Sequence, residues 1–259
     1  MPGYQSLPGP QGKFMLKVLG GFALSWEGRV LQVPRASQRL LAFLALQGGM
    51  VKRVAVAGTL WPEASESHAS SNLRSALARL QGTGRKALAA TKLELGLAEG
   101  ILVDIRHAQA LARRLLDPAV TPDGADLGIA AVPVLSADLL PDWYEDWVVA
   151  EAEDWRRLRL HALEALAARL TDLGRWREAA HAAGAAVRAE PLRESARAAL
   201  IQAHLAEGNQ SEAVREFSRY RRLLDAELGL APTPRLHDLL QHLQNPSRCD
   251  HCNAVTIGR

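Results

Sequence analysis

Two six-residue segments set one repeat apart limit what the C-terminal half of this chain can fold into. Gly174-Arg175-Trp176-Arg177-Glu178-Ala179 is followed 34 positions on by Gly208-Asn209-Gln210-Ser211-Glu212-Ala213. That is the period of a two-helix repeat of tetratricopeptide type. Each glycine ends one helix, and each Glu-Ala sits early in the next. Ala179, Ala183 and Ala186 put small side chains on one helical face, so that a second helix can approach closely. Upstream, Val148, Ala152, Trp155, Leu163, Leu166, Leu170 and Leu173 predict a long amphipathic helix over 147–173. A helix is predicted over 105–117 and a last one over 235–243. Between the first two, 118–141 is rich in Pro, Gly and Asp and reads as loop, with a short helix around 127–131.

The N-terminal part follows another pattern. Met15, Val18, Phe22, Leu24 and Trp26 alternate over short spans, Glu27-Gly28-Arg29 forms a turn, and Val30-Leu31-Gln32-Val33 forms a second strand. After Pro34 the period becomes helical: Leu40, Leu41, Leu44 and Ala45 with Phe43 predict a buried stripe over 35–47, stopped by Gly48-Gly49. A short helix over 53–60 precedes Trp61-Pro62. Gly58 inside it costs about 1 kcal/mol relative to alanine, which a close helix–helix approach would explain. Ser65-Glu66-Ser67-His68 starts a third helix that runs to about Gln81, with Gly82-Thr83-Gly84 as its stop. Strands over 87–97 and 101–105, around Ala98-Glu99-Gly100, complete a terminal hairpin.

The fold expected is therefore mainly α with small β: a winged helix-turn-helix domain over 14–104, followed by an all-α tetratricopeptide-like helical repeat domain over 105–244. Residues 1–13 read as a disordered leader and 245–259 as a flexible tail. On this division the first domain carries its own core, and a fragment ending near Asp104 is expected to fold.

Charge separates the two halves. Residues 1–100 hold 12 Lys/Arg against 5 Asp/Glu, and the rest 19 against 23, which together give the formal +3 of the chain. A basic N-terminal half suits a polyanion, because neutralised phosphates supply most non-specific DNA affinity. The chain shows no basic-then-apolar signal pattern at its N-terminus and no apolar run long enough to span a bilayer. With only two cysteines, Cys249 and Cys252, it has no disulfide framework. These features suggest a cytoplasmic, nucleoid-associated protein without membrane contact. There is no Gly-rich phosphate loop, no Gly-x-Ser-x-Gly and no His-Glu-x-x-His, so an enzyme is not expected.

Read in order, the segments resemble the Streptomyces antibiotic regulatory protein family of activators. The N-terminal likeness rests on Arg39-Leu40-Leu41-Ala42, Leu60-Trp61-Pro62, Ser71-Asn72-Leu73-Arg74, Leu77 and Arg79-Leu80, which look like an OmpR-type winged helix. The C-terminal likeness rests on Leu139-Leu140-Pro141-Asp142, Trp147, Glu151, Arg156-Arg157-Leu158, the two Gly/Glu-Ala repeats, Pro191-Leu192-Arg193-Glu194, Leu223-Leu224, Glu227-Leu228-Gly229 and Pro232. Together these resemble a bacterial transcriptional activator domain. Leu93-Glu94-Leu95-Gly96 stands where the family often has an aromatic, and Gln81 where a second arginine is common. No Walker-type loop follows. The resemblance implies binding to double-stranded DNA at direct repeats, a homodimer side by side on DNA, and contacts to RNA polymerase including its sigma factor.

In a winged helix the third helix enters the major groove. Leu73, Leu77 and Leu80 would face the core, leaving Ser71, Ser75 and Ala78 for base edges, with Arg74 and Arg79 on their flanks. Arg85, Lys86 and Arg35 are phosphate candidates; such contacts position a protein without specifying sequence. Trp143, Trp147, Trp155 and Trp176 read as core packing before a binding groove. Cys249-Asp250-His251-Cys252 lacks a second ligand pair, so the expectation is no metal and no cofactor. The alternative function is a helical-repeat scaffold for protein contacts, whose winged helix does not bind DNA.

Overall fold

The computed structural model describes residues 14–244 of the 259, without the side chains of the last three; the expected leader, the tail and its two cysteines lie outside the described residues. The architecture is mainly helical with two small sheets. The residues fall into two compact units, neither continuous in sequence. One runs up to Ala112 and adds Ala137–Leu158; the other joins Arg113–Ser136 to the chain from Arg159 onward.

The first unit opens with β1 (Phe14–Lys17), β2 (Ala23–Trp26) and β3 (Arg29–Leu31), paired antiparallel in sequence order. Glu27 and Gly28 turn the second hairpin with φ of 49° and 79°, the two positive values that a two-residue turn needs to match strand twist. Next come α1 (Arg35–Gln47), β4 (Val51–Lys52), α2 (Arg53–Leu60) and α3 (Glu66–Arg79). A four-residue turn, α4 (Gly82–Arg85), occupies the stop expected there. Leu40, Phe43, Leu44, Val56, Leu60, Leu73 and Leu77 form the core between the helices, closed on one side by Leu95.

The terminal hairpin differs from the expected one. β5 (Leu88–Ala90) and β6 (Glu94–Leu97) pair antiparallel, and β6 also pairs with β4. Their turn is at 91–93, where the Thr91 hydroxyl accepts from the Leu93 and Glu94 amides at 3.2 and 2.9 Å, a local bond that favours turning over extension. β7 (Leu102–Val103) leaves the hairpin and lies parallel to β1. Alternation alone does not distinguish these two partners.

Asp104 opens α5 (Asp104–Leu116) inside this unit rather than at its edge. Its carboxylate accepts from the amides of Val18, Leu19 and Ile105 at 2.9, 3.1 and 2.8 Å. Arg106, two residues on, donates to the carbonyls of Ala45 and Leu44, which are left without intrahelical partners at the C-terminal end of α1. The second stretch then joins this sheet. The Leu140 amide donates to the Val18 carbonyl at 2.9 Å, the Gly20 amide to the Asp138 carbonyl at 2.7 Å, and Leu19 bridges Leu139. Leu140 is buried with φ of 41°, a left-handed conformation that costs a branched residue about 1–2 kcal/mol. The unit thus includes 137–158; the aromatic contacts that hold this stretch are long-range and leave no local pattern.

The remaining helices are α6 (Ala131–Ser136), later than the expected 127–131, α7 (Asp146–Asp172), α8 (Trp176–Ala189), α9 (Glu194–Ala206), α10 (Gln210–Leu228) and α11 (Pro234–Gln244). In the second unit α8 packs on α9, and α9 on α10. Gly174 and Gly208, at φ of 72° and 84°, sit at equivalent helix ends, so the sequence repeat is also a conformational one. Ala179, Ala183 and Ala186 are fully buried. Ile201, Phe217, Tyr220, Leu224, Leu236 and Leu240 carry the core onward. Within it Arg197 pairs with Glu216 at 2.7 Å, both buried. Leu173 is exposed, so the apolar stripe of α7 ends at Leu170.

Candidate nucleic-acid interface

α3 divides its side chains by helical period. Ala69, Leu73, Ala76 and Leu77 are buried, as is Leu80 just after the helix. Ser71, Arg74, Ser75, Ala78 and Arg79 are exposed. The helix is held from behind by one buried bond: the Ser37 hydroxyl of α1 donates to the Ala76 carbonyl at 2.8 Å. Arg39, also on α1, donates to the Leu60 carbonyl at 2.6 Å and fixes the end of α2. The face that α3 presents is therefore set by its leucines and by the Ser37 contact from α1.

The exposed face carries positive charge without internal neutralisation. The side chains of Arg74 and Arg79 make no ion pair or hydrogen bond among the described residues, nor do those of Arg85 and Lys86, which are exposed just before β5. His68 and Asn72 are exposed on the same helix. With Ser75 and Arg79 they repeat at three to four residues, a spacing visible in the sequence that the choice of site residues passed over. Lys92 is exposed in the β5–β6 turn and was hidden by the misplaced turn.

Arg35 is exposed, but its guanidinium lies 3.9 Å over the ring centre of Trp143. Trp143 is buried, stacks with Phe22 at 6.1 Å and meets Trp147 edge-on at 6.2 Å; Trp147 in turn meets Phe43 edge-on at 5.5 Å. Trp155 is buried and donates to the Ala137 carbonyl at 2.9 Å. Three of the four tryptophans are thus packed in the first unit. Trp176 belongs to the second and is 40% exposed. Among the described residues no group of histidine, cysteine or carboxylate side chains is placed to hold a metal, and no helix is long and apolar enough to cross a membrane.

Comparison with known proteins gives the family. Residues 103–244 match the bacterial transcriptional activator domain. The chain belongs to that family, in agreement with the resemblance to the Streptomyces antibiotic regulatory proteins drawn from its motifs. It is 31% identical over 257 residues to the regulatory protein AfsR of Streptomyces coelicolor, covering 93% of this chain and 25% of that protein. To the regulatory protein AfsR of Streptomyces griseus it is 30% identical over 256 residues, covering 92% and 25%. The chain thus spans about a quarter of the length of these curated relatives. Its fold is similar to that of Mycobacterium tuberculosis EmbR, solved in complex with a low-affinity phosphopeptide, with a TM-score of 0.64, 21% identity and coverage of 91% of this chain and 66% of that one.

Proposed function

We propose that the first unit is a winged helix-turn-helix that binds double-stranded DNA with α3 in the major groove, and that the second is a tetratricopeptide-like platform for transcription proteins. The observation that carries this reading is the exposed face of α3. Small side chains at Ser71, Ser75 and Ala78 allow close approach to base edges. Arg74 and Arg79 flank them and are unpaired among the described residues. A guanidinium left unneutralised next to small polar groups suits a guanine edge or a phosphate. Arg85 and Lys86 lie before the β5–β6 hairpin, which takes the place of the wing, and suit backbone phosphates. The protein then binds repeated promoter sites as a homodimer on DNA and recruits RNA polymerase, sigma factor included, and it has no catalytic role. The family and the AfsR relatives support the regulatory part of this reading.

The test is a binding titration against promoter DNA recovered from the protein's own genome, run at several salt concentrations. Arg74→Ala and Arg79→Ala are expected to weaken binding while helix content is kept, since alanine favours helix. An arginine that reads a base should cost about 1–3 kcal/mol and relax specificity at one base pair, whereas one on a phosphate should lower the salt slope by about one. Wild-type affinity in both variants would move the interface away from α3. Failure of the intact chain to bind any duplex would favour a scaffold without DNA contact.

A further inference from the structure

α1 carries two arginines one turn apart, and the structure treats them differently. Arg39 is neutralised: its Nε lies 2.8 Å from a Glu145 carboxylate oxygen, and its Nη2 donates to the Leu60 carbonyl. Arg35 has no ion pair and no side-chain hydrogen bond among the described residues, yet it is not free to swing. Its guanidinium rests on the Trp143 ring, which is itself wedged against Phe22 and Trp147. Stacking on an indole uses the flat face of a guanidinium and leaves its N–H donors, which lie in the plane, pointing outward. The residue before it, Pro34, lines a shallow cleft together with Arg79, Gln81 and Thr83. The start of α1, where Arg35 follows Pro34, therefore adjoins the C-terminal end of α3.

We propose that Trp143 is a positioning residue for DNA binding: it holds the Arg35 guanidinium in one orientation to donate to a backbone phosphate flanking the groove that α3 enters. This rests on the DNA-binding reading above and adds to it a role for a residue outside the reading helix. Trp143 lies within the stretch that matches the activator domain, so part of that domain serves the DNA contact directly. The gain is entropic. An arginine side chain loses rotamer freedom when it grips a phosphate, and an arginine already immobilised on a ring has less to lose.

The experiment uses the full chain and one promoter duplex, with binding measured as a function of salt for wild type, Arg35→Ala, Trp143→Leu, Trp143→Phe, the double variant Arg35→Ala/Trp143→Leu, and Arg74→Ala. Removing Arg35 should lower the salt slope by about one, which at 0.1 M salt is about an eightfold loss of affinity. Trp143→Leu keeps an apolar side chain but no ring; it should weaken binding severalfold in the wild-type background and not at all in the Arg35→Ala background. Trp143→Phe should restore most of the loss. Circular dichroism of each variant separates these effects from unfolding. Should Trp143→Leu unfold the chain, the slope of Arg35→Ala together with the affinity of Trp143→Phe decides the matter. An unchanged slope in Arg35→Ala, or equal losses from Trp143→Leu in both backgrounds, would overturn the proposal and leave the pair as packing. Loss of binding in Arg74→Ala alongside that result would leave the DNA-binding reading standing. No binding by wild type would remove both.

Discussion

Ending the chain at Asp104 should leave the first unit without a complete core. The cut removes Leu139, Leu140, Trp143, Val148 and Trp155, each 6% exposed or less and all within the first unit. Fully burying side chains of this size stabilises by about 1.5–3 kcal/mol each, or roughly 7–15 kcal/mol for five. Residual burial in the unfolded chain reduces that by about 10–40%. The Val18 carbonyl and the Gly20 amide also lose their partners from Leu140 and Asp138, at about 0.5–1.5 kcal/mol for each bond. Against these losses, the truncated chain escapes the strain at Leu140, worth only about 1–2 kcal/mol. A domain of this size has a net stability of about 5–15 kcal/mol, so the loss is comparable with the whole. Urea unfolding of fragments 14–104 and 14–158, followed by circular dichroism, checks this. The longer fragment should unfold cooperatively. The shorter should show a weak, broad transition or none. A shorter fragment with the same midpoint and slope as the longer would refute the reasoning and make the second stretch an ornament on a self-sufficient domain.

In the second unit, Glu216→Ala strands the buried Arg197 guanidinium and should cost about 3–5 kcal/mol, most of it recovered when both residues become leucine or methionine; thermal denaturation of the three proteins reads this directly. A side chain at Gly58 would meet nothing within 4 Å, so the close helical approach expected from the sequence is not there, and Gly58→Ala should raise stability by about 0.5–1 kcal/mol, seen as a higher Tm. Burial holds the Asp104 carboxyl above the usual carboxylate range, outweighing the amide bonds from Val18, Leu19 and Ile105 and the nearby Lys17 charge. A group raised in this way contributes stability that is complete below its ordinary pKa and is lost as the pH rises through its folded value. Wild type should therefore lose stability relative to Asp104→Asn as the pH is raised from about 3, and urea midpoints of the two proteins that stay parallel across that range would contradict it.

Much of the candidate site was legible because it is written locally. Leu73, Leu77 and Leu80 recur at helical spacing, and burying them dictates that Ser71, Arg74, Ser75, Ala78 and Arg79 face outward. The glycine pair at 174 and 208 and the buried alanines between them likewise follow from short-range spacing, and their places in the fold match. What the sequence could not determine are contacts made across long separations. Leu102-Val103 satisfies an alternating pattern equally well against β6 or β1, and only the packed sheet selects β1. Nothing near Arg35 in the chain distinguishes a free surface arginine from one stacked on an aromatic; Trp143 lies 108 positions away and reaches it only because the Val18–Gly20 edge pairs with 138–140. Periodicity records which face of an element is apolar, while the identity of its partner depends on the loop closures that bring distant segments together, and those belong to the tertiary structure alone.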